Sequence, residues 1–100
     1  MIPYYAVIFT SIKKNNDPAY NEMANLMEEL AVQQEGYMHH DSARSEVGIT
    51  VSYWKNLEAI SKWKEQIDHQ VAQKLGRDNW YKWYHVRICK VEREYSFGKM

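Results

Sequence analysis

The sequence predicts an α+β domain of the ferredoxin-like type, β-α-β-β-α-β, with a four-stranded antiparallel sheet and both helices on one face. Three observations lead there. Segments with an apolar period of two and segments of helical period follow one another in that order. The 100 residues and 12.0 kDa suit one hydrophobic core, so residues 1–100 are expected to form a single domain. The first and last strands are apolar on both faces, although two helices cover only one face of such a sheet. A neutral chain hides a second apolar face most simply against another copy of itself. The expected assembly is therefore a homodimer with its sheets face to face.

Each element has its own warrant. Residues 2–12 alternate Tyr5, Val7 and Phe9 with Tyr4, Ala6 and Ile8, a strand pattern. After a polar loop, Asp17 and Pro18 supply an N-cap and a proline at the first helical position. Ala19, Met23, Leu26, Met27, Leu30 and Ala31 follow at helical spacing, and Gly36 stands ready to end the helix. Residues 37–44 and 47–54 are the next strands, with the turn near Arg44-Ser45-Glu46. In the second of them, Val47, Ile49, Val51 and Tyr53 alternate with Gly48, Thr50 and Ser52. Asn56 caps a second helix, where Leu57, Ile60, Trp63, Ile67, Val71 and Leu75 step by three or four until Gly76. Polar His69 and Gln70 interrupt this stripe near Asp68, which allows a break into two helical pieces. Residues 80–97 read mostly as strand, with Tyr84, Val86 and Ile88 on one face. The apolar phase then moves to Cys89 and Val91, the mark of a bulge or a change of burial.

Composition excludes several classes of function. Thirteen basic and thirteen acidic residues cancel, so no broad field draws nucleic acid or an anionic membrane. The single cysteine, Cys89, excludes an internal disulfide, fits a reducing cytosol and is expected as a small buried hydrophobe. The first residues lack a secretory pattern, no apolar run reaches transmembrane length, and mean hydropathy is -0.69; a cytoplasmic location is expected. Aromatic residues make up 14%, and twelve of the fourteen are Trp or Tyr, which carry a polar handle on a large apolar body. Such side chains suit pockets and subunit contacts.

The stretch Ser42-Ala43-Arg44, then Gly48-Ile49-Thr50-Val51-Ser52-Tyr53-Trp54, resembles the antibiotic-biosynthesis-monooxygenase (ABM) domain family. So do Leu57-Glu58-Ala59-Ile60, Trp63-Lys64, His69, Gly76-Arg77, Trp80-Tyr81, Tyr84 and Val91-Glu92-Arg93, so the likeness spans nearly the whole chain. It implies a dimeric α+β barrel with a small-molecule pocket between the sheet and the helices of each subunit. It also implies a cofactor-independent monooxygenase, using neither metal nor flavin, with a small phenolic or quinol-type aromatic and dioxygen as partners. A related branch degrades haem. That branch places an asparagine on the first strand, whereas here Asn15 and Asn16 fall in the loop beyond it, and the Trp63–His69 interval is short for its arrangement.

Within that frame His69 is the expected general base and Trp63 the apolar wall that stacks on the ring and excludes water. Imidazole titrates near neutrality and suits proton transfer there. Deprotonation leaves an anion electron-rich enough to pass an electron to dioxygen without a cofactor. Six residues correspond to about 600° of helix, so His69 shares a face with Trp63 only if the helix breaks near Asp68. Tyr53 and Tyr84 lie on the more apolar sides of their strands and are expected to offer hydroxyls to the substrate. Arg44 and Arg87 are available to an anionic group or to a carboxylate. No metal site is expected: His39 and His40 point to opposite faces of a strand, and no other pair has ligand spacing. With four glycines there is no dinucleotide fingerprint. The alternatives are a non-catalytic dimer that binds a small apolar molecule, and a purely structural dimer with a filled pocket.

Overall fold

Alternation and helical periodicity become six elements: β1 (Tyr4–Lys13), α1 (Pro18–Gln33), β2 (Tyr37–Arg44), β3 (Gly48–Trp54), α2 (Leu57–Gln73) and β4 (Tyr81–Val91). They belong to a computed structural model that describes residues 2–14, 18–73 and 81–99. The strands pair antiparallel in the order β2-β3-β1-β4, the ferredoxin-like arrangement expected from the order of elements. The expected cap at Asp17, the helix end at Leu75 and Gly76, and Trp80 lie outside the described residues. No described helix is long and apolar enough to cross a membrane.

Local chemistry sets the element ends. Asn56 Oδ1 accepts the Ala59 N–H at 2.8 Å, satisfying one of the donors that the start of α2 leaves open. Gly36 has φ +93°, the left-handed conformation that lets the chain leave α1 and enter β2. A Cβ there would also lie 2.6 Å from the Ala59 Cβ, so only glycine lets α2 pack this close. The Gly36 carbonyl accepts the Lys55 N–H at 2.8 Å, tying the entrance of β2 to the exit of β3.

Register sorts the side chains into two faces. On β1 and β3, Tyr5 pairs with Trp54, Val7 with Ser52, Phe9 with Thr50 and Ser11 with Gly48. On β4, Ile88 lies beside Val7, Val86 beside Phe9 and Tyr84 beside Ser11. These residues face the helices, and the buried core of Val7, Trp54, Ala31, Ala59 and Ile60 forms there. The far face carries Tyr4, Ala6 and Ile8 with Ile49, Val51 and Tyr53, and Trp83, Cys89 and Val91 from β4.

Several expectations need correction. Helix α2 is unbroken through Asp68, with Lys64 and Asp68 paired one turn apart at 2.9 Å and the His69 side chain exposed. The β1–β4 register is continuous past Ile88; its irregularity lies between Ile12 and Lys13 instead. The apolar shift to Cys89 and Val91 is a change of face, not a bulge. Cys89 is exposed on the edge strand rather than buried. Strand β4 ends at Val91, and residues 92–97 have no regular structure. A second irregularity, unforeseen, lies in β2 between Tyr37 and His39.

Candidate functional site

The cavity begins with small residues. In β3 the set facing the helices is Gly48, Thr50 and Ser52, ending at Trp54, while the larger Ile49, Val51 and Tyr53 face away. Small side chains under two helices leave room. A cavity of about 710 Å³ lies there, within the range that holds a small organic ligand. Its floor is β3 with Val7 and Phe9 of β1. Its roof includes Met27 of α1 with Ile60, Trp63 and Ile67 of α2.

Trp63 lines the cavity, and its position is explained by stacking. Its ring lies 4.8 Å from that of Trp54, centroid to centroid, at 29° between planes. Trp54 is wholly buried and donates Nε1–H to Ser52 Oγ at 2.9 Å. The Trp63 Nε1–H is buried as well, yet no acceptor meets it among the described residues. A buried donor without an acceptor is costly, and an oxygen of a bound ligand would relieve it.

Tyr84 also lines the cavity, stacked on Phe9 at 5.4 Å. Tyr53 does not. It lies on the far face, edge-on to Tyr4 at 6.0 Å and stacked on His39 at 6.2 Å. Its strand's alternation was legible, but the helices roof the small-residue side rather than the apolar one. His69 is exposed and is not among the residues that line the cavity. On an unbroken helix it stands about 240° from Trp63, so the swing toward the sheet does not occur. The structure thus brings together Trp63 and Tyr84, and leaves Tyr53 and His69 apart from them.

Further residues complete the site. On β2, Tyr37, His40, Ser42 and Arg44 all line the cavity. The Tyr37 hydroxyl and His40 Nδ1 are 2.5 Å apart, and His40 Nε2 is 3.8 Å from Glu28 Oε1 of α1. Burial, then the Glu28 and Asp41 carboxylates, push the Tyr37 phenol above its ordinary range. Arg44 donates to the buried Ser11 hydroxyl and lies over the Tyr20 ring at 5.6 Å. A side chain at Gly48 would collide with that guanidinium, so glycine there gives Arg44 its place. No carboxylate pairs with Arg44 among the described residues. Arg87, the other arginine considered, pairs with Ile8 in register and so stands on the far face.

At the same end Tyr81 sits edge-on to Phe9 and Tyr20, each ring pair 5.5 Å apart. Burial first, then Tyr20, with which it shares a hydrogen bond, hold its phenol far above the usual tyrosine range; Arg44 opposes this. The cavity therefore offers a largely apolar, aromatic-walled space with neutral hydroxyls and an indole donor that meets no acceptor among the described residues, and its lining also includes Glu28, His40, Arg44, Lys64, Asp68 and His85. Sequence reasoning treated His40 only as a metal ligand and did not single out Tyr37 or Glu28. The β2 bulge that groups them leaves no mark in apolar alternation.

The chain matches no protein-family model. It is 46% identical over 97 residues to the uncharacterized protein YqjZ of Bacillus subtilis, covering 95% of this chain and 85% of that one. Among solved structures, SnoaB, a cofactor-independent oxygenase of Streptomyces nogalater, superposes with a TM-score of 0.68 at 8% identity, over 98% of this chain and all of the other (100%). An antibiotic-biosynthesis-monooxygenase-type protein of Nitrosomonas europaea gives 0.63 at 17% identity, over 96% and 94%. At such identities the likeness establishes the fold, which is that of the ABM proteins.

Proposed function

The chain belongs to the family of YqjZ of Bacillus subtilis and has the ABM fold, and on that premise we propose that it is a cofactor-independent monooxygenase of a small phenolic or quinol-type aromatic. The observation that carries this reading is the Trp63 Nε1–H, buried beside an aromatic-lined cavity of about 710 Å³ and meeting no acceptor among the described residues. A ring lying along Trp63 would bring one of its oxygens to that donor. The hydrogen bond strengthens as the oxygen gains negative charge, so it favours the ionised substrate over the neutral one. Apolar walls keep water from the anion. That anion passes electrons to dioxygen; one oxygen atom enters the product and the other leaves as water, the substrate supplying every electron. Tyr84 adds a hydroxyl to the same cavity. Tyr53 and His69, outside the cavity, take no part in this reading.

The working unit in this reading is a homodimer in the cytoplasm. Supporting it, one protomer exposes 7444 Å², against roughly 6,000 Å² expected for a compact monomer of this mass. The excess includes Ile49 and Trp83 on the far face, and Tyr95 and Phe97 beyond β4. A second copy against that face would cover it.

The test is oxygen uptake on a panel of hydroquinones and polyphenols. Uptake above the protein-free rate is expected for at least one member. Absence of uptake on every member, with saturable quenching of tryptophan fluorescence by the same compounds, would replace the oxygenase with a binding module.

A further inference from the structure

Tyr37, His40 and Glu28 all line the cavity, and contacts of 2.5 and 3.8 Å connect them in that order. We infer that Tyr37, His40 and Glu28 form a relay that removes the phenolic proton from a ring bound in the cavity, an assignment that rests on the function proposed above.

The geometry begins with the β2 irregularity. In a regular strand, residues three apart point to opposite faces, so Tyr37 and His40 would be separated by the sheet. The register shift between Tyr37 and His39 inserts one residue and returns both side chains to the cavity side. Bulges of this kind re-aim side chains beside working sites. The Tyr37 hydroxyl then meets His40 Nδ1 at 2.5 Å, and His40 Nε2 faces Glu28 Oε1 at 3.8 Å. A carboxylate on the Nε2 side favours the proton there and leaves Nδ1 as the acceptor for Tyr37.

The step balances without an added reagent. The substrate O–H bond breaks and its electron pair stays on the substrate oxygen. Its proton moves to Tyr37 Oη as the Tyr37 proton moves to His40 Nδ1. The product is a phenolate in the cavity and an imidazolium beside Glu28. The proton has a way out, because the His40 and Glu28 side chains are 26% and 52% exposed. Other groups around His40 do not compete for this role. From β2, His39 Nε2 pairs with Asp41 Oδ1 at 2.9 Å while its ring lies on Tyr53; from β3, the residue paired with His40 is neutral Ser52. The raised Tyr37 phenol keeps its own proton at neutral pH and so has one to pass on.

The experiment uses p-nitrophenol, whose phenolate has its own visible band, titrated anaerobically into the wild type and the Tyr37→Phe, His40→Gln and Glu28→Gln variants. Circular dichroism checks that each is folded, and oxygen uptake on the quinol panel is recorded in parallel. The wild type is expected to ionise the bound probe about tenfold more than His40→Gln or Tyr37→Phe at the same pH, as a charge-assisted hydrogen bond allows. Glu28→Gln should fall between them. Equal ionisation in the wild type and His40→Gln overturns the relay, whatever the oxygen electrode shows. Loss with His40→Gln but not with Tyr37→Phe also overturns it as written. Full ionisation without oxygen uptake supports the relay and overturns the oxygenase. No saturable binding of the probe by the wild type overturns the relay, and absence of oxygen uptake beside it overturns both.

Discussion

Trp54 and Trp63 stack at 4.8 Å, yet their indole N–H groups have opposite fates. Trp54 gives its proton to Ser52 Oγ at 2.9 Å, whereas the equally buried Trp63 Nε1–H meets no acceptor among the described residues. The first tryptophan belongs to the core and the second to the cavity. Stability and ligand binding should accordingly separate when the two are perturbed.

Trp63→Phe keeps an aromatic wall and removes the donor that meets no acceptor among the described residues. A phenolic ligand should bind about tenfold more weakly, the worth of a hydrogen bond to a charged oxygen. Folding stability should fall by about 1 kcal/mol or less, because no described residue accepts a hydrogen bond from Trp63. Calorimetric titration and urea unfolding measure the two effects separately.

Ser52→Ala has the opposite profile. It strands the Trp54 N–H in a residue with no exposure, which costs about 1–3 kcal/mol. The urea midpoint should drop while the slope of the transition stays unchanged. Ligand affinity should change less than in Trp63→Phe.

Gly36→Ala meets two penalties at once. A positive φ of 93° strains any side chain by about 1–2 kcal/mol, and the new Cβ would lie 2.6 Å from the Ala59 Cβ. The melting temperature should fall by roughly 10 °C. Adding Ala59→Gly removes the clash but not the strain, so thermal melts of the double variant should recover part of the loss only.

The alkaline limb of stability should depend on Tyr81. Its folded phenol is raised above the unfolded value of 10.0, first by burial and then by Tyr20. The folded state therefore holds a proton that the unfolded chain releases above about pH 10. Stability is fully present below that pH and declines as pH rises beyond it. In urea unfolding at successive alkaline pH values, Tyr81→Phe should show a shallower decline than the wild type.

The fold was legible because each helix and strand follows one period, and Asn56 and Gly36 act as the caps their chemistry predicts. Trp63 and Tyr84 were legible for the same reason: the stripe of α2 and the alternation of β4 fix the sides on which they sit. Tyr53 was misjudged because alternation in β3 defines two faces without saying which one the helices roof. Here the roof lies over Gly48, Thr50 and Ser52, whose small side chains admit both Trp54 and the cavity. His69 was misjudged because a polar patch on a helix reads equally as a break or as a solvated turn. The Tyr37–His40 pair depends on a register shift in β2, set by pairing with β3 rather than by local sequence.

The most direct measurement follows isotopically labelled dioxygen through turnover of whichever quinol supports uptake, with mass spectrometry of product and water. One labelled oxygen atom per product molecule, its twin in water, is the predicted result. A quinol oxidised without gaining label, its electrons carried only to peroxide, would contradict a monooxygenase built around Trp63.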